Sequence, residues 1–223
     1  VKEVTNHQIL VFVGRQGCYK TTWLARLLPP ELQRYFCVRS NSGRLTKDDN
    51  LALSEFALIC LEEIDELRLG DINQLKAMVT LPAVNERRAY GHYKENRPHI
   101  ASFCGTTNQP EFLNDPTGSR RWLPFAVERI DDPYTHPVDY AGVYGQALKL
   151  WQEGVRYWFD EEEIAQGNAR NEGFETASLE TELVLASFCV PMPGGVCMFP
   201  AAGEILPHLS GGMRQPLRSV QGR

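Results

Sequence analysis

The sequence has no apolar run long enough to cross a bilayer; its apolar runs, such as Ile9-Leu10-Val11-Phe12-Val13 and Ala57-Leu58-Ile59-Cys60-Leu61, are strand-sized. It has no C-x-x-C pair either. Its six cysteines, Cys18, Cys37, Cys60, Cys104, Cys189 and Cys197, are widely spaced, and three lie in or beside apolar runs, which argues against a disulfide frame or a zinc site and for reduced core thiols in a cytoplasmic protein. No net positive charge is present: the formal net charge of -5 excludes a protein that coats nucleic acid over its whole surface, though a local basic loop is compatible with it. No internal repeat is visible. The chain starts Val1-Lys2-Glu3-Val4 without an initiator methionine or a charged-then-apolar signal pattern, and the expectation is a piece cut from a longer protein.

What is there is enough for one ordinary core: 223 residues, 43% of them hydrophobic. An apolar strand at residues 9–13 meets a glycine-bearing turn, and residues 20–28 have helical spacing until Pro29-Pro30 stops them. Further strands are expected at 35–38, 57–61, 100–105 and 122–127. The run at 57–61 is apolar throughout, as in a strand buried on both faces of a parallel sheet. A short helix is expected to end near Leu53. Another starts at Asp71, where Asp71-x-x-Gln74 resembles a capping box, and a third, a packing helix beyond the sheet, runs from Asp139 to about Ala165. Strands separated by helices predict an α/β fold with a mostly parallel central sheet flanked by helices. Residues 1–168 read as that core, and 169–223 as a linker and partial second unit, a small helical extension with one helix at 179–188.

The turn after the first strand is Gly14-Arg15-Gln16-Gly17-Cys18-Tyr19-Lys20-Thr21-Thr22. A strand, a tight turn and a helix opening on Lys-Thr form an anion site, because backbone N–H groups and the helix N-terminus converge on bound phosphates. Lys20 would reach the β- and γ-phosphates of ATP, and Thr21 would ligate Mg²⁺. The spacing departs from the usual phosphate loop at one place, where Tyr19 replaces the second glycine. A large side chain resists the backbone conformation that position often needs. An ordinary strand–turn–helix with a surface lysine has the same spacing.

Glu62-Glu63 follows the strand at 57–61, so both carboxylates emerge at the carboxyl edge of the sheet, where the loop also sits. We assign Glu62 to the metal shell and Glu63 to activation of the attacking water. A solvated helix start rich in acid, here with Asp65 and Glu66, is the bland alternative. Asn108 ends another apolar strand, where its amide could hold that water or the γ-phosphate; a turn asparagine is the alternative. Arg120-Arg121 follows the turn Asp115-Pro116-Thr117-Gly118-Ser119, and a guanidinium there could cross to a neighbouring subunit's ATP as an arginine finger. Taken singly, the arginine pair is an ordinary surface feature. The order of loop, paired acids, strand-ending asparagine and arginine is what argues for a motor.

These residues resemble the virulence-associated protein E family, whose core is similar to superfamily 3 helicases of viruses, phages and mobile elements. The resemblance is carried by Gly14-Arg15-Gln16-Gly17 with Lys20-Thr21-Thr22, Leu61-Glu62-Glu63, Lys76, Arg87-x-x-Tyr90-Gly91, Gly105-Thr106-Thr107-Asn108, and Asp115-Pro116-Thr117-Gly118-Ser119-Arg120-Arg121-Trp122-x-Pro124. It covers about residues 8–165. It implies a P-loop ATPase of AAA+ type, a DNA helicase or translocase of a replication protein, with ATP and Mg²⁺ as cofactors. It also implies self-association into a ring, a hexamer, and an upstream primase or other replication domain. The segment before the fourth main strand is where such rings place a DNA-contacting hairpin. Here it holds Arg87, Arg88, Tyr90, His92 and Lys94, with Tyr93 and Arg97 close by, a composition suited to the phosphates and bases of single-stranded DNA. A solvated loop has the same composition. A ring would multiply this small patch and reconcile DNA binding with an acidic subunit.

Three rivals share the loop. A nucleic-acid-binding or regulatory module with a degenerate phosphate loop would bind DNA without nucleotide. A small-molecule kinase would need an acceptor pocket and a lid. A terminase-like packaging motor would not predict the Arg120-Arg121 turn.

Overall fold

The structure is a computed structural model that describes residues 5–40, 47–86, 93–114 and 119–176. Burial on both faces shapes its sheet. In β1 (Ile9–Val13), Ile9, Val11 and Val13 are buried in the main core, while Leu10 and Phe12 pack on the smaller cluster formed around Leu24 and Leu28 of the following segment. The helix α1 (Lys20–Ala25) therefore covers one face. It is shorter than the expected 20–28, because its last turn loosens into three-residue bonds, Leu27 N to Leu24 O and Leu28 N to Ala25 O, ahead of the prolines. β2 (Phe36–Ser40), α2 (Lys47–Glu55), β3 (Leu58–Glu62) and α3 (Leu69–Val79) follow. Leu58 to Leu61 of β3 are all buried, as an apolar run in a two-sided sheet requires.

β6 (Ser102–Thr107) and β7 (Trp122–Ala126) complete a five-stranded sheet of order β2-β3-β6-β1-β7, parallel at every pairing. The expected α/β architecture is the one observed. β1 lies inside the sheet, between β6 and β7, so the turn that leaves it is flanked by the ends of β6 and β3 on one side and β7 on the other. Cys60 and Cys104 face each other in register on β3 and β6, both buried and both free thiols. Their hydrogen bond and their burial push the Cys104 thiol far above its ordinary range.

Between α3 and β6 the chain forms an antiparallel pair, β4 (Ala83–Glu86) and β5 (Glu95–Pro98), with Glu86 opposite Glu95. The sequence pattern gave a polar segment there and no strands. Two other expectations are corrected. α3 begins two residues before Asp71, with Arg68 at its N-cap, so Asp71 sits in the first turn as an acid near the helix N-terminus and does not cap it. The helix expected over 139–165 is two helices, α4 (Tyr140–Gln152) and α5 (Glu161–Asn171). Gly154, at φ 74°, ends α4 in a Schellman motif in which Gly154 N donates to Trp151 O (3.1 Å) and Val155 N to Leu150 O (3.0 Å). Asp160 then starts α5 with a reciprocal capping box to Glu163.

α4 has no buried residue and so is not a packing helix on the sheet; it meets the end of α1 through Tyr140 Oη donating to Arg26 O (3.0 Å) and Tyr144 Oη to Leu27 O (2.8 Å). α5 runs on through residue 168, and buried Asn171 at its end donates to Ser119 O (3.2 Å) and Trp122 O (2.9 Å). The segment beyond it is tied back by Phe112 N and Leu113 N donating to Phe174 O. The helix expected at 179–188 and the C-terminal extension lie outside the described residues. No helix among the described residues is long and apolar enough to cross a membrane.

Candidate active site

Three parallel strands deliver chemistry to one edge. β1 ends at Val13 and opens into the loop, β3 ends on Glu62, and β6 ends one residue before Asn108. Gly14 fixes the loop's departure. Its N–H donates to Thr107 O at 3.1 Å, and a Cβ there would lie 2.5 Å from Val127 O, so no side chain fits without moving the backbone that leaves β7.

Arg15, Gln16 and Gly17 form the exposed crest, Gly17 has φ 79°, and Cys18 Sγ donates to Arg15 O at 3.0 Å. Tyr19 has φ 62° and ψ 20°, the left-handed conformation a glycine would adopt without strain. The loop keeps its path and the tyrosine bears the cost, of order 1–3 kcal/mol for such a residue. Tyr19 therefore does not divert the turn that leads into α1.

Lys20, only 7% exposed, donates from Nζ to Gly14 O (2.6 Å), Arg15 O (2.8 Å) and Asn108 Oδ1 (2.9 Å). An ammonium has three N–H donors, and these three oxygens use them. Thr21 Oγ1 donates to Glu62 Oε1 at 2.9 Å. The loop is thus bonded to the ends of both β3 and β6, and the cleft formed with Thr22, Glu63 and Thr106 has a volume of about 390 Å³. A hydroxyl and a carboxylate this close, both hard oxygen donors at a helix start, fit a Mg²⁺ ion, which takes one or two such groups and keeps its waters. Glu63 is exposed and left-handed, at φ 54° and ψ 52°. Its strain is explained by Ile64: Gly105 lacks a side chain where a Cβ would meet Ile64 Cδ1, so Ile64 packs over β6 and the backbone turns sharply at Glu63.

Two residues that sequence reasoning did not place join this edge. Thr107 Oγ1, buried at the end of β6, donates to Asp65 Oδ1 at 2.6 Å and accepts from Gln109 N at 3.0 Å. That pair ties the strand carrying Asn108 to the turn carrying Glu63. Asp65 was visible only as one of four clustered acids, and its partner is 42 residues away.

Arg120 and Arg121 are elsewhere. Trp122 pairs with Ile9 at the start of β1, so the arginines sit at the opposite edge, about 16 Å from the loop at the usual rise per strand residue. They line a separate cleft of about 120 Å³ with Asn6, His7, Tyr157 and Trp158. Burial, then the charges of Arg121, Arg120 and His99, hold the His7 imidazole below its ordinary value. An arginine placed so cannot serve the loop of its own chain.

Of the residues read as a DNA contact, Arg87, Arg88, Tyr90 and His92 lie outside the described residues. Lys94 and Tyr93 are exposed, Tyr93 at 85%, just before β5 begins. Arg97 is committed at the stem, where it bonds Glu95 and lies 3.7 Å from Glu55.

Residues 4–176 match the virulence-associated protein E-like domain. The chain belongs to that family. No curated protein matches the chain at a significant level. Among solved structures, an apo structure of the NrS-1 C-terminal region aligns over 77% of the chain and 36% of its own length, with 15% identity and a TM-score of 0.44. An A form apo structure of the same region gives 77% and 35%, with 14% identity and a TM-score of 0.43. The chain thus spans about a third of the length of these structures, and a likeness at this level carries no argument about activity. The virulence-associated protein E-like family membership covers every described strand and helix of the candidate site.

Proposed function

We propose that this virulence-associated protein E-like domain is a Mg²⁺-dependent ATPase of the helicase or translocase type, acting as a ring on single-stranded DNA within a replication protein of a phage or mobile element. One observation carries the reading. Lys20 and Thr21, adjacent in the loop, are bonded to Asn108 and Glu62 on two different strands, so the groups that ATP hydrolysis needs share one cleft.

In that reading Lys20 exchanges its loop carbonyls for phosphate oxygens, and the exposed N–H groups of residues 15–19 and the start of α1 face the same anion. Thr21 and Glu62 would hold Mg²⁺, which neutralises charge on the phosphates when bound. Glu63 accepts a proton from the attacking water, and Asn108 fixes that water by hydrogen bond. Arg121, at the far edge of its own sheet, would stabilise the transition-state charge in a neighbouring subunit's cleft. The segment between β4 and β5, with Arg87, Arg88, Tyr90, His92 and Lys94, is the proposed DNA contact.

The test is the ATPase rate with and without single-stranded DNA across protein concentration. A rate that rises with both, and that Lys20→Ala removes, supports the motor. An unchanged rate in Lys20→Ala ends the central assignment. A second reading, a DNA-binding regulatory module with a degenerate loop, is favoured by the strained Tyr19 and by a Lys20 already engaged with three oxygens. A fluorescent ATP analogue titrated with Mg²⁺ separates the two, because that module binds DNA and not the analogue.

A further inference from the structure

The phosphate cleft is polar, and among the described residues Tyr19 is the one aromatic side chain along it. A nucleotide also has a flat ring to place. Next to Tyr19, at 6.5 Å between centroids and 78° between planes, stands Tyr134, contributed by the chain that leaves β7. Tyr134 is 71% exposed, yet it is not loosely held. The Arg26 guanidinium carbon lies 4.9 Å from the centre of its ring, and Arg26 also donates to the neighbouring Pro133 O. Asp132 folds the backbone beneath it, its Oδ1 accepting from Tyr134 N at 2.9 Å and its carbonyl from Thr135 N and His136 N at 3.1 Å each. Arg26 itself belongs to the end of α1, pinned by Tyr140.

A large ring left in solvent but fixed by a cation on one face and a second ring nearly perpendicular to it is preorganised to stack. We propose that Tyr134, with Tyr19 beside it, is the platform for the base of the bound nucleotide. This rests on the nucleotide reading above and adds the place of the base: over Tyr134, beside the cleft of about 270 Å³ that Arg26, Arg129, Asp131, Pro133 and His136 help to line. Stacking is tolerant of base identity because every base has a π-face. The site takes nucleoside triphosphates as a class, and ATP and GTP both gain from it.

The experiment is calorimetric titration of the intact protein with Mg-ATP, Mg-GTP and inorganic Mg-tripolyphosphate, in wild type, Tyr134→Ala and Tyr134→Phe. The expected result is that Tyr134→Ala weakens both nucleotides about ten-fold and leaves tripolyphosphate unchanged, while Tyr134→Phe behaves as wild type. Equal losses for ATP and tripolyphosphate would make the ring a brace for the loop and overturn the proposal. Wild type binding ATP no better than tripolyphosphate overturns it as well, and leaves the phosphate reading standing. If wild type binds neither, both readings fall together.

Discussion

The two edges of the parallel sheet are finished in different ways. At the carboxyl edge, side chains from the loop, β3 and β6 are bonded to one another through Lys20–Asn108, Thr21–Glu62 and Thr107–Asp65. At the amino edge, Arg120 and Arg121 border a small cleft with a histidine and three aromatic residues, and the groups facing them come from the N-terminal segment, the linker between α4 and α5, and α5. One edge is assembled from distant strands into a single cleft. The other presents a turn held in place from behind by Asn171. On the proposed reading, a subunit built this way would hold the binding half of a site at one end and a completing arginine at the other.

The sharpest way to break that contrast is Arg121→Ala. Turnover should fall on the order of a thousand-fold while nucleotide affinity stays within two-fold of wild type, about the effect of removing an arginine finger. Mixing Arg121→Ala with Lys20→Ala subunits should restore turnover, read in a coupled ATPase assay; no recovery would remove the trans role. Glu63→Gln should lower turnover by about a hundred-fold or more with the fold intact, since glutamine retains the shape at that strained position. A pH–rate profile that keeps its acid limb in this variant would exclude Glu63 as the base.

Gly14→Ala addresses the carboxyl edge through packing. The added Cβ meets the Val127 carbonyl just past β7, and urea unfolding should show a loss of about 1–3 kcal/mol. Asn171→Ala does the same at the amino edge: it removes the amide donor from Trp122 O and from Ser119 O, which keeps only Trp122 N, costs about 1–3 kcal/mol, and should lower turnover without weakening nucleotide binding. Equal effects of these two variants on affinity would erase the difference between the edges.

The smallest effect concerns His7. Its folded-state value is depressed from 6.5, so the unfolded chain binds the proton more readily, and stability declines as pH falls below about 6.5 toward the folded value. His7→Gln should flatten that acid-side decline, measured by thermal melts between neutral and mildly acidic pH.

The main sheet was legible because its strands are short apolar runs with little else to become, and a chemical residue follows three of them directly. Glu62 and Asn108 could be placed on one edge from the parallel order alone. The hairpin strands were not legible from their own pattern, since β5 reads Glu95-Asn96-Arg97-Pro98, with no apolar alternation to mark it; only the family resemblance placed a hairpin in that segment. The division of α4 from α5 had visible signals, Gly154 and the Asp160-x-x-Glu163 box, but the aromatic run at 157–159 kept the apolar pattern going through the break. Thr107–Asp65 and Tyr19–Tyr134 join residues far apart in the chain, and no local rule connects them. The far position of Arg121 followed from parallel pairing once β7 was known to lie beside β1.

The parallel register of β1 and β7 has a consequence for symmetry. On the proposed reading, a receiving cleft and a donating arginine at opposite ends of one sheet allow two closed arrangements: a two-fold pair whose sheets run antiparallel, so that each cleft meets the other copy's arginine, or a head-to-tail ring in which each subunit completes its neighbour's cleft. In the first, a dimer fills every cleft. In the second, a dimer leaves one open, and every added copy moves the vacancy along until the first and last subunits touch.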